Sequence, residues 1–313
     1  MNLQQFRYVT EVARRKLNVS EAAAALHTSQ PGVSKQIRAL EEELGTALFV
    51  RRGRRFVAIT DAGVEVIRTV ERILGEVGRL RAIGEEFAAV GRGQLAVAVT
   101  HTQARYALPA VVTAFKKRYP EVKLKLLQGN PHQLARLLID GEADLAIATE
   151  ALDAYDELVA LPGYQWHHCV VVPKGHELAR GAAITLEAIA RFPIVTYDAT
   201  FAGRTAIDRA FAARGLAPEV ALSALDSDVI KSYVSLGLGV GIISQRAFRE
   251  GKEEGLVAID SAHLFPVQVT RIAYRRGAYL RGFTVEFIRL FAPTLTAADI
   301  ASAEAGSGSN FEI

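Results

Sequence analysis

Polar and cationic side chains suited to binding nucleic acid are concentrated near the start of the chain. Hydrophobic residues at Val33, Ile37 and Leu40 are spaced as on one side of a helix, which leaves the outer side of that segment polar. Hydroxyl, amide and ammonium groups hydrogen-bond base edges and phosphates, so this outer side has the chemistry of a DNA-binding surface. The candidate contacts are Ser29, Gln30, Pro31, Ser34, Lys35 and Arg38.

A second basic group surrounds Gly53. The flanking segments 48–50 and 56–59 are apolar and are predicted to be strands. They would form a hairpin, or wing, that carries arginines to phosphate or to the minor groove; the alternative is a solvated turn. The candidate DNA contacts in the wing are Arg51, Arg52, Arg54 and Arg55.

The charge of the chain is unevenly distributed. Residues 1–59 hold ten Lys or Arg and five Glu, whereas the whole chain has a net charge of +3. A basic head on a slightly acidic body is typical of a module that binds a polyanion, although a basic face that arose by chance is the alternative.

Three predicted helices position the head's polar residues. Leu3, Phe6 and Val9 begin a helical pattern, and an alanine-rich segment at 21–26 follows it. Ser29 suits the N-cap of a third helix at about 30–43, and Pro31 suits its first turn. Two short helices joined by such a turn form a helix–turn–helix, whose second helix enters the major groove. Residues 1–59 are therefore predicted to be a winged helix–turn–helix domain.

Residues 60–87 are predicted to form one long linker helix. Hydrophobic residues recur there at alternating four- and three-residue steps, which is the a/d stripe of a coiled coil. We expect two chains to dimerise through this stripe; the alternative is a helix packed on its own domain. The stripe comprises Val66, Val70, Ile73, Val77, Leu80 and Phe87.

Alternating strand and helix patterns in residues 88–300 predict an α/β fold with parallel sheets. Two lobes with a cleft between them fit the pattern, the first of residues 93–162 and 267–293 and the second of residues 163–266. Residues 301–313 are small and polar, and they are predicted to form a flexible tail.

Polar loops follow several of the predicted strands. In open α/β lobes, ligands bind at the carboxyl ends of strands and at helix N-termini. Hydroxyls, amides and free N–H groups there suit a compact oxyanion or an acyl amino acid, although a single threonine after a strand is more often a helix cap. The candidate ligand contacts are Thr100, Thr102, Gln103, Gln133, Thr149, Thr200 and Ala202.

The head resembles the LysR-type transcriptional regulators. The resemblance lies in Ala22–Ala24, Leu26, Thr28–Pro31, Val33, Ser34, Ile37, Leu40, Glu41, Leu44, Gly45, Leu48, Phe49, Arg51, Arg52 and Thr60–Gly63. The body looks like the CysB/Cbl branch of that family in Thr100–Pro109, Ala146–Leu152, Val195–Tyr197, Phe201, Gly203, Arg204 and Asp226–Lys231.

This resemblance, over residues 1–250, implies a body like a periplasmic binding protein and an assembly of dimers or tetramers. It also implies a regulator of sulfur assimilation, cysteine biosynthesis or sulfonate use that binds promoter DNA. The effector implied is sulfate, O- or N-acetylserine or a related metabolite, bound through Thr100, Thr102, Gln103 and Thr149. RNA polymerase is a further partner if the protein activates transcription.

One position departs from the branch. Its usual run is Gly-Phe-Thr-Gly-Arg, whereas this chain has Thr200–Arg204 with Ala202 in place of the threonine. One hydroxyl contact is lost, so a LysR-type regulator of another pathway with a changed effector is the alternative function.

Other functional classes find little support. Gly237–Gly241 lacks the dinucleotide-binding spacing and precedes a strand, so we predict a packing turn. Cys169 beside His167 and His168 is predicted to be an inert buried thiol, with no metal site and no catalytic pair. We expect neither an enzyme nor a cofactor other than the effector.

The sequence also suggests where the protein works. A single cysteine, no apolar run of about 18 residues and no secretory pattern at the start predict a reducing, cytoplasmic protein that does not enter a membrane. A solute-binding protein would share the two lobes but would not need a basic head.

Overall fold

The computed structural model describes residues 1–53, 55–88, 91–180 and 183–304. The chain forms two compact units, Met1–Phe87 and Ala88–Ile313. In the described ranges, no helix has the length and apolarity needed to cross a bilayer.

The first unit has three helices, a two-stranded hairpin and a long helix. Its elements are α1 (Leu3–Arg14), α2 (Val19–Ala25), α3 (Gln30–Leu44), β1 (Phe49–Arg52), β2 (Arg55–Ile59) and α4 (Asp61–Ala88). The Asn18 side chain caps α2, and Ser29 caps α3 with its Oγ accepting from the Gly32 amide. Val9, Val12, Val33, Ile37 and Leu40 are fully buried between the helices.

The hairpin strands are longer than the sequence predicted. Arg51 and Arg52 lie within β1, and Arg55 begins β2 opposite Arg52. Of the predicted tip, Gly53 is in the turn, and Arg54 lies outside the described residues.

Helix α4 packs on the first unit's core only near its start. Ile67 and Val70 are buried, whereas Ile73 and Leu80 are 39% and 69% exposed. The alternative of a helix packed on its own domain therefore holds for the first turns alone, and much of the described apolar stripe faces outward.

The second unit contains the remaining strands and α-helices and one π-helical turn. In chain order these are β3 (Gly93–Val99), a π-helical turn (Gln103–Ala107), α5 (Leu108–Arg118), β4 (Val122–Gln128), α6 (Pro131–Ile139), β5 (Leu145–Ala148), β6 (Leu158–Trp166), β7 (His168–Pro173), α7 (Leu186–Ile189), β8 (Ile194–Tyr197), α8 (Ala202–Ala212), β9 (Val220–Ala224), α9 (Ser227–Ser235), β10 (Val240–Ser244), β11 (Leu256–Asp260), β12 (Gln268–Arg275), α10 (Gly282–Phe291) and α11 (Ala297–Glu304).

These elements build two lobes, each around a five-stranded sheet. The first lobe has the strand order β4-β3-β5-β12-β6, and the second has β11-β7-β10-β8-β9. The expected parallel pairing holds for β3 with β4 and β5, and for β8 with β9 and β10. The prediction of fully parallel sheets is wrong, because β12 runs antiparallel to β5 and β6, and β7 runs antiparallel to β10 and β11.

The chain crosses between the lobes later than predicted. Strand β6 pairs with β12 as far as Trp166, and β7 begins at His168, so the crossing lies at His167 rather than after residue 162. Strands β6 and β11 were not predicted, because no α-helix separates either of them from the strand before it.

The predicted tail is also shorter. Residues 301–304 continue α11, in which Ile300 is buried and its carbonyl accepts a hydrogen bond from the Tyr274 hydroxyl at 2.9 Å. Residues 305–313 of the predicted tail lie outside the described residues.

Gly63, in the first turn of α4, offers a test of how the wing is seated on this helix. A Cβ at this position would lie 2.1 Å from the Leu48 carbonyl oxygen and 2.9 Å from Ile59 Cγ2. We predict that Gly63→Ala destabilises the first unit by about 1–3 kcal/mol, because the backbone at Leu48, just before β1, must move. Hydrogen exchange of α3 amides measures the loss.

Gly75 in the same helix is the matched control, because a Cβ there meets nothing within 4 Å. Gly75→Ala should leave exchange unchanged or slow it, since alanine favours helix by about 1 kcal/mol. Equal exchange rates in the two variants would contradict the packing described.

Candidate functional site

The outer side of α3 has the polar surface that its sequence predicts. Gln30, Pro31, Lys35 and Arg38 are exposed, and Ser34 is half-buried. Their positions follow from burial of the opposite side, because a helix that hides every third or fourth residue presents the others together. The Ser29 hydroxyl is engaged in capping the helix, which places it at the same end.

The arginines of the wing divide into two groups. Arg52 and Arg55 are exposed cross-strand neighbours. Arg51 instead donates to the Glu41 carboxylate, and its guanidinium lies 4.8 Å above the Phe56 ring. Glu41 also accepts from the Leu48 and Phe49 amides at 2.9 and 3.2 Å. Arg51 therefore fastens the wing to α3, a role that the sequence did not suggest.

A small pocket opens in the second unit at the carboxyl ends of strands from both lobes. Its volume is about 40 Å³, which is about three times the space that one buried water needs. The lining residues are Thr100, Thr102, Gln103, Thr149, Glu150, Trp166, Tyr197, Phe201, Gly203 and Ser244.

A buried hydrogen-bond network sets the polarity of one wall. Thr270 is fully buried, and its Oγ1 accepts from Gln103 Nε2 at 3.3 Å and from Trp166 Nε1 at 3.1 Å. The Thr270 and Thr149 hydroxyls lie 3.3 Å apart, and Trp166 Nε1 also donates to Thr149 Oγ1 at 3.4 Å. The network therefore fixes the position of the Thr149 hydroxyl, which is one of the polar groups that line the pocket.

Two further hydroxyls belong to the loop after β3. Thr102 precedes the π-helical turn without capping it, and neither its hydroxyl nor that of Thr100 has a partner within the described residues. Single π-turns occur often at functional sites, where they place side chains that a regular helix would not.

The N-terminus of α8 forms the facing wall. This helix begins at Ala202, its N-cap Phe201 supplies no side-chain acceptor, and Gly203 lines the pocket. The first amides of a helix lack intrahelical partners and carry partial positive charge. The start of α8 and the three threonine hydroxyls therefore make a site for an anion.

Four of the seven predicted ligand residues line the pocket: Thr100, Thr102, Gln103 and Thr149. Gln133 does not, since its side chain completes the capping box of α6 and borders a separate surface groove. The Thr200 hydroxyl donates to Asp198 at 2.8 Å. Ala202 contributes its backbone to the start of α8.

The sequence analysis did not select the aromatic part of the lining. Trp166, Tyr197 and Phe201 contact the pocket from three different elements. The sequence predicts a strand over residues 194–197, so Tyr197 lies at its end, which is the position from which a side chain reaches a cleft. Trp166 carried no such signal, because the strand that positions it was missed.

The other chemical candidates have structural roles. Cys169 is buried, and burial raises the pKa of its thiol to about 12, which leaves it unreactive. A Cβ at Gly239 would lie 2.3 Å from the Pro193 carbonyl oxygen. The turn at Gly237–Gly241 therefore uses glycine for close packing.

A set of charges around the buried Lys231, which we call the clasp, joins the two lobes beside the pocket. Lys231 is 5% exposed and lies in α9 of the second lobe. Its Nζ donates to Glu253 at 2.5 Å and to the Tyr106 hydroxyl at 2.9 Å. Tyr106 donates to Asp228 at 2.5 Å, and Arg105 pairs with Asp228 at 2.6 Å.

The clasp keeps Lys231 and Asp228 ionised. Burial works to lower the pKa of Lys231, but hydrogen bonds with Glu253, Tyr106 and Asp228 raise it above the ordinary value. Burial works to raise the pKa of Asp228, yet Tyr106, Lys231 and Arg105 lower it. His101, Asp226 and Asp228 are close enough to hold a metal ion, but Asp226 caps α9 and the cations of the clasp already neutralise Asp228.

Known proteins resemble both units. Residues 3–64 match the family described as "Bacterial regulatory helix-turn-helix protein, lysR family", and residues 88–295 match "LysR substrate binding domain". HTH-type transcriptional regulator CysB of Burkholderia cenocepacia is 50% identical over 313 residues, covering 100% of both chains. HTH-type transcriptional regulator SsuR of the same species is 50% identical over 301 residues, covering 96% of this chain and 98% of SsuR.

A solved structure supports the architecture of the second unit. The crystal structure of the cofactor-binding domain of the Cbl transcriptional regulator is 44% identical, with a TM-score of 0.66, and covers 67% of this chain and 92% of that one. The predicted fold class and the predicted family are both confirmed.

Removing the ammonium group of the clasp should destabilise the second unit. We predict that Lys231→Met lowers the free energy of unfolding of the second unit by about 3 kcal/mol, because the partly buried carboxylates of Glu253 and Asp228 lose a cationic partner. Urea unfolding followed by the fluorescence of Trp166, the one tryptophan of the chain, measures the change.

The loss of unfolding free energy in Lys231→Met should become smaller as the pH falls below about 4, the ordinary pKa of a carboxylic acid. The pKa of Asp228 is depressed in the folded protein, so its stabilising contribution is present above that pH and is lost as the carboxylate is protonated. Lys174→Met, at an exposed position, is the control and should have no effect at either pH. A Lys231→Met deficit as small as that of the control would show that the clasp is not stabilising.

Proposed function

Because the chain belongs to the LysR family of bacterial transcriptional regulators, we propose that it controls sulfur-acquisition genes in response to a small oxyanion effector. Family membership confirms the prediction of a DNA-binding regulator that is not an enzyme. The observation that carries the effector proposal is the pocket in which Thr100, Thr102 and Thr149 present hydroxyl donors opposite a helix N-terminus.

The pocket's size and donors favour sulfate as the first candidate effector. A volume of about 40 Å³ suits a ligand of few atoms. Neutral donors and helix N-termini bind a dianion without burying an additional charged side chain. The resemblance to the CysB/Cbl branch implies sulfur metabolism, and the relatives CysB and SsuR are alike over nearly the whole chain.

Acetylserine is the second candidate effector. Glu150 is among the lining residues, and a carboxylate there favours a ligand with an ammonium group, which O-acetylserine carries and sulfate does not. This ligand is larger than the pocket as it stands, so the lobes would have to separate for it to bind. Ala202 in place of a threonine keeps a third option open, a LysR-type regulator whose effector belongs to another pathway.

The head supplies the DNA contacts in this proposal. Gln30, Ser34 and Lys35 on α3 would meet base edges and phosphates in the major groove. Arg52 and Arg55 of the wing would contact the adjacent phosphates or the minor groove. A regulator of promoters works where the chromosome lies, so we place it in the cytoplasm.

The exposed stripe of α4 supports a dimer. Ile73 and Leu80 expose large apolar side chains on a 28-residue helix, and pairing with the same helix of a second copy would bury them. Two heads would then bind a roughly two-fold DNA site. A homotetramer would follow from pairing two such dimers, and contact with RNA polymerase would follow if the protein activates transcription.

The segment after β3 couples the pocket to the clasp. Thr100, Thr102 and Gln103 line the pocket, and Arg105 and Tyr106, one turn later, hold Asp228 of the other lobe. A ligand that hydrogen-bonds to Thr100 and Thr102 would therefore shift Arg105 and Tyr106 as well. Such a shift changes the arrangement of lobes or subunits only if the two arrangements bind the ligand with different affinities.

Replacing Thr102 tests the assignment of the pocket. We predict that Thr102→Val weakens sulfate binding about tenfold or more, because it removes an uncapped hydroxyl but keeps the shape of the side chain. Calorimetric titration of the full chain with sulfate, thiosulfate, O-acetylserine and N-acetylserine measures the loss. Thr113→Val, an exposed position on α5, is the control; equal affinities of the two variants would exclude this pocket.

Lys35 offers a test of the DNA surface. We predict that Lys35→Ala weakens binding to all DNA sequences and reduces the dependence of log affinity on log salt by about 1, because one phosphate contact is lost. Fluorescence anisotropy at several salt concentrations measures both. Lys117→Ala, exposed on α5 of the second unit, should change neither, and an unaltered salt slope for Lys35→Ala would remove Lys35 from the interface.

A further inference from the structure

His168 is a buried imidazole that the hydrogen-bond network of the pocket does not use. It begins β7, is 1% exposed, and has no hydrogen-bond partner for Nδ1 or Nε2 within the described residues. Buried polar atoms in native proteins are nearly always paired, so an unpaired imidazole calls for a physical reason.

The ring of His168 is fixed by its neighbours. Its centroid lies 4.9 Å from that of Trp166 and 5.4 Å from that of Phe265, with both pairs edge-on. Such packing on two sides restricts the ring and keeps the direction of each nitrogen constant.

Nε2 of His168 is aimed at the N-terminus of α8. A Cβ built on Gly203 would lie 3.4 Å from this nitrogen, 3.7 Å from Tyr197 Cδ2 and 3.8 Å from Trp166 Cη2. Gly203, Tyr197 and Trp166 all line the pocket. The space beside the glycine is therefore bounded by pocket walls and by His168 Nε2.

The imidazole is neutral at ordinary pH. Burial, with a smaller effect of His167, lowers the pKa of His168 to about 4. A neutral imidazole offers one N–H donor and one bare nitrogen. It therefore adds a donor to the site without adding charge, as the three threonine hydroxyls do.

We propose that the effector pocket extends beneath Gly203, where His168 Nε2–H donates a hydrogen bond to an oxyanion oxygen seated at the start of α8. His168 is then a specificity-determining residue for a compact oxyanion, and glycine at position 203 keeps the approach open. This inference rests on the proposed effector function and adds to it a residue that the threonine loops do not include.

Three variants separate the hydrogen bond from the packing. His168→Phe keeps an aromatic ring against Trp166 and Phe265 but removes both nitrogens. His168→Gln keeps an N–H donor near the place of Nε2. Gly203→Ala fills the space at ordinary contact distances and at a backbone conformation that alanine adopts freely.

Calorimetric titration of the full chain with sodium sulfate gives the expected pattern. His168→Phe and Gly203→Ala should each weaken sulfate about tenfold or more, and His168→Gln should retain affinity within about threefold, as expected for a hydrogen bond to a charged ligand. His132→Phe, exposed and outside the pocket, is the control and should bind as the parent does.

Two further readouts exclude a purely structural role. The unliganded His168→Phe protein should melt at the same temperature as the parent or higher, because an unpaired polar group is replaced by an apolar one. In ¹⁵N NMR spectra, sulfate should move the Nε2 signal of His168 to the position of a hydrogen-bonded N–H.

Sulfate affinity unchanged in both His168→Phe and Gly203→Ala, or an Nε2 signal unmoved by sulfate, would overturn the inference and leave the proposed function intact. Failure of the parent protein to bind any of the four effectors named above would instead overturn the proposed function.

Discussion

The ammonium group of Lys231 is buried, and the need to neutralise it ties the first lobe of the body to the second. A charge with so little access to water is tolerated only if opposite charges and hydrogen bonds surround it. Glu253 and Asp228 supply the charges from the lobe of Lys231 itself, and Tyr106 reaches across from the other lobe. The position of the segment that carries Tyr106 is therefore fixed by electrostatics as well as by packing.

That segment also forms one wall of the pocket, which makes the clasp relevant to function. Thr100, Thr102 and Gln103 precede Tyr106 through a π-helical turn. Thr270 holds Gln103 and Trp166 from the buried side, and its hydroxyl also contacts the Thr149 hydroxyl. The pocket is a set of donors oriented before any ligand arrives, which reduces the ordering that binding requires. His168 extends the same arrangement behind α8.

The sequence was sufficient for the features that depend on local pattern. Helical periodicity and the Ser29–Pro31 cap gave α3 within one residue, and polar residues after predicted strands gave four lining residues of the pocket, three threonines and Gln103. What it missed depends on tertiary contact. Gln133 looked like a ligand residue because capping glutamines and ligand glutamines share the same position after a strand. Arg51 looked like its neighbours, because nothing local shows that Glu41 lies beneath it. The places of Trp166 and His168 beside the pocket became visible only when β6 and β7 were placed on different sheets.

The central claim is that an effector in the second unit and DNA on the first influence each other's binding. Coupling of this kind is reciprocal, so DNA must change the affinity for sulfate as much as sulfate changes the affinity for DNA. The most direct test is to titrate sulfate into the free protein and into the protein saturated with a promoter fragment. The fragment is selected from genomic DNA by its binding to this protein. The account predicts that the two sulfate affinities differ by about fivefold or more. Equal sulfate affinities would show that ligand binding in the pocket does not affect DNA binding by the head, and would contradict the account.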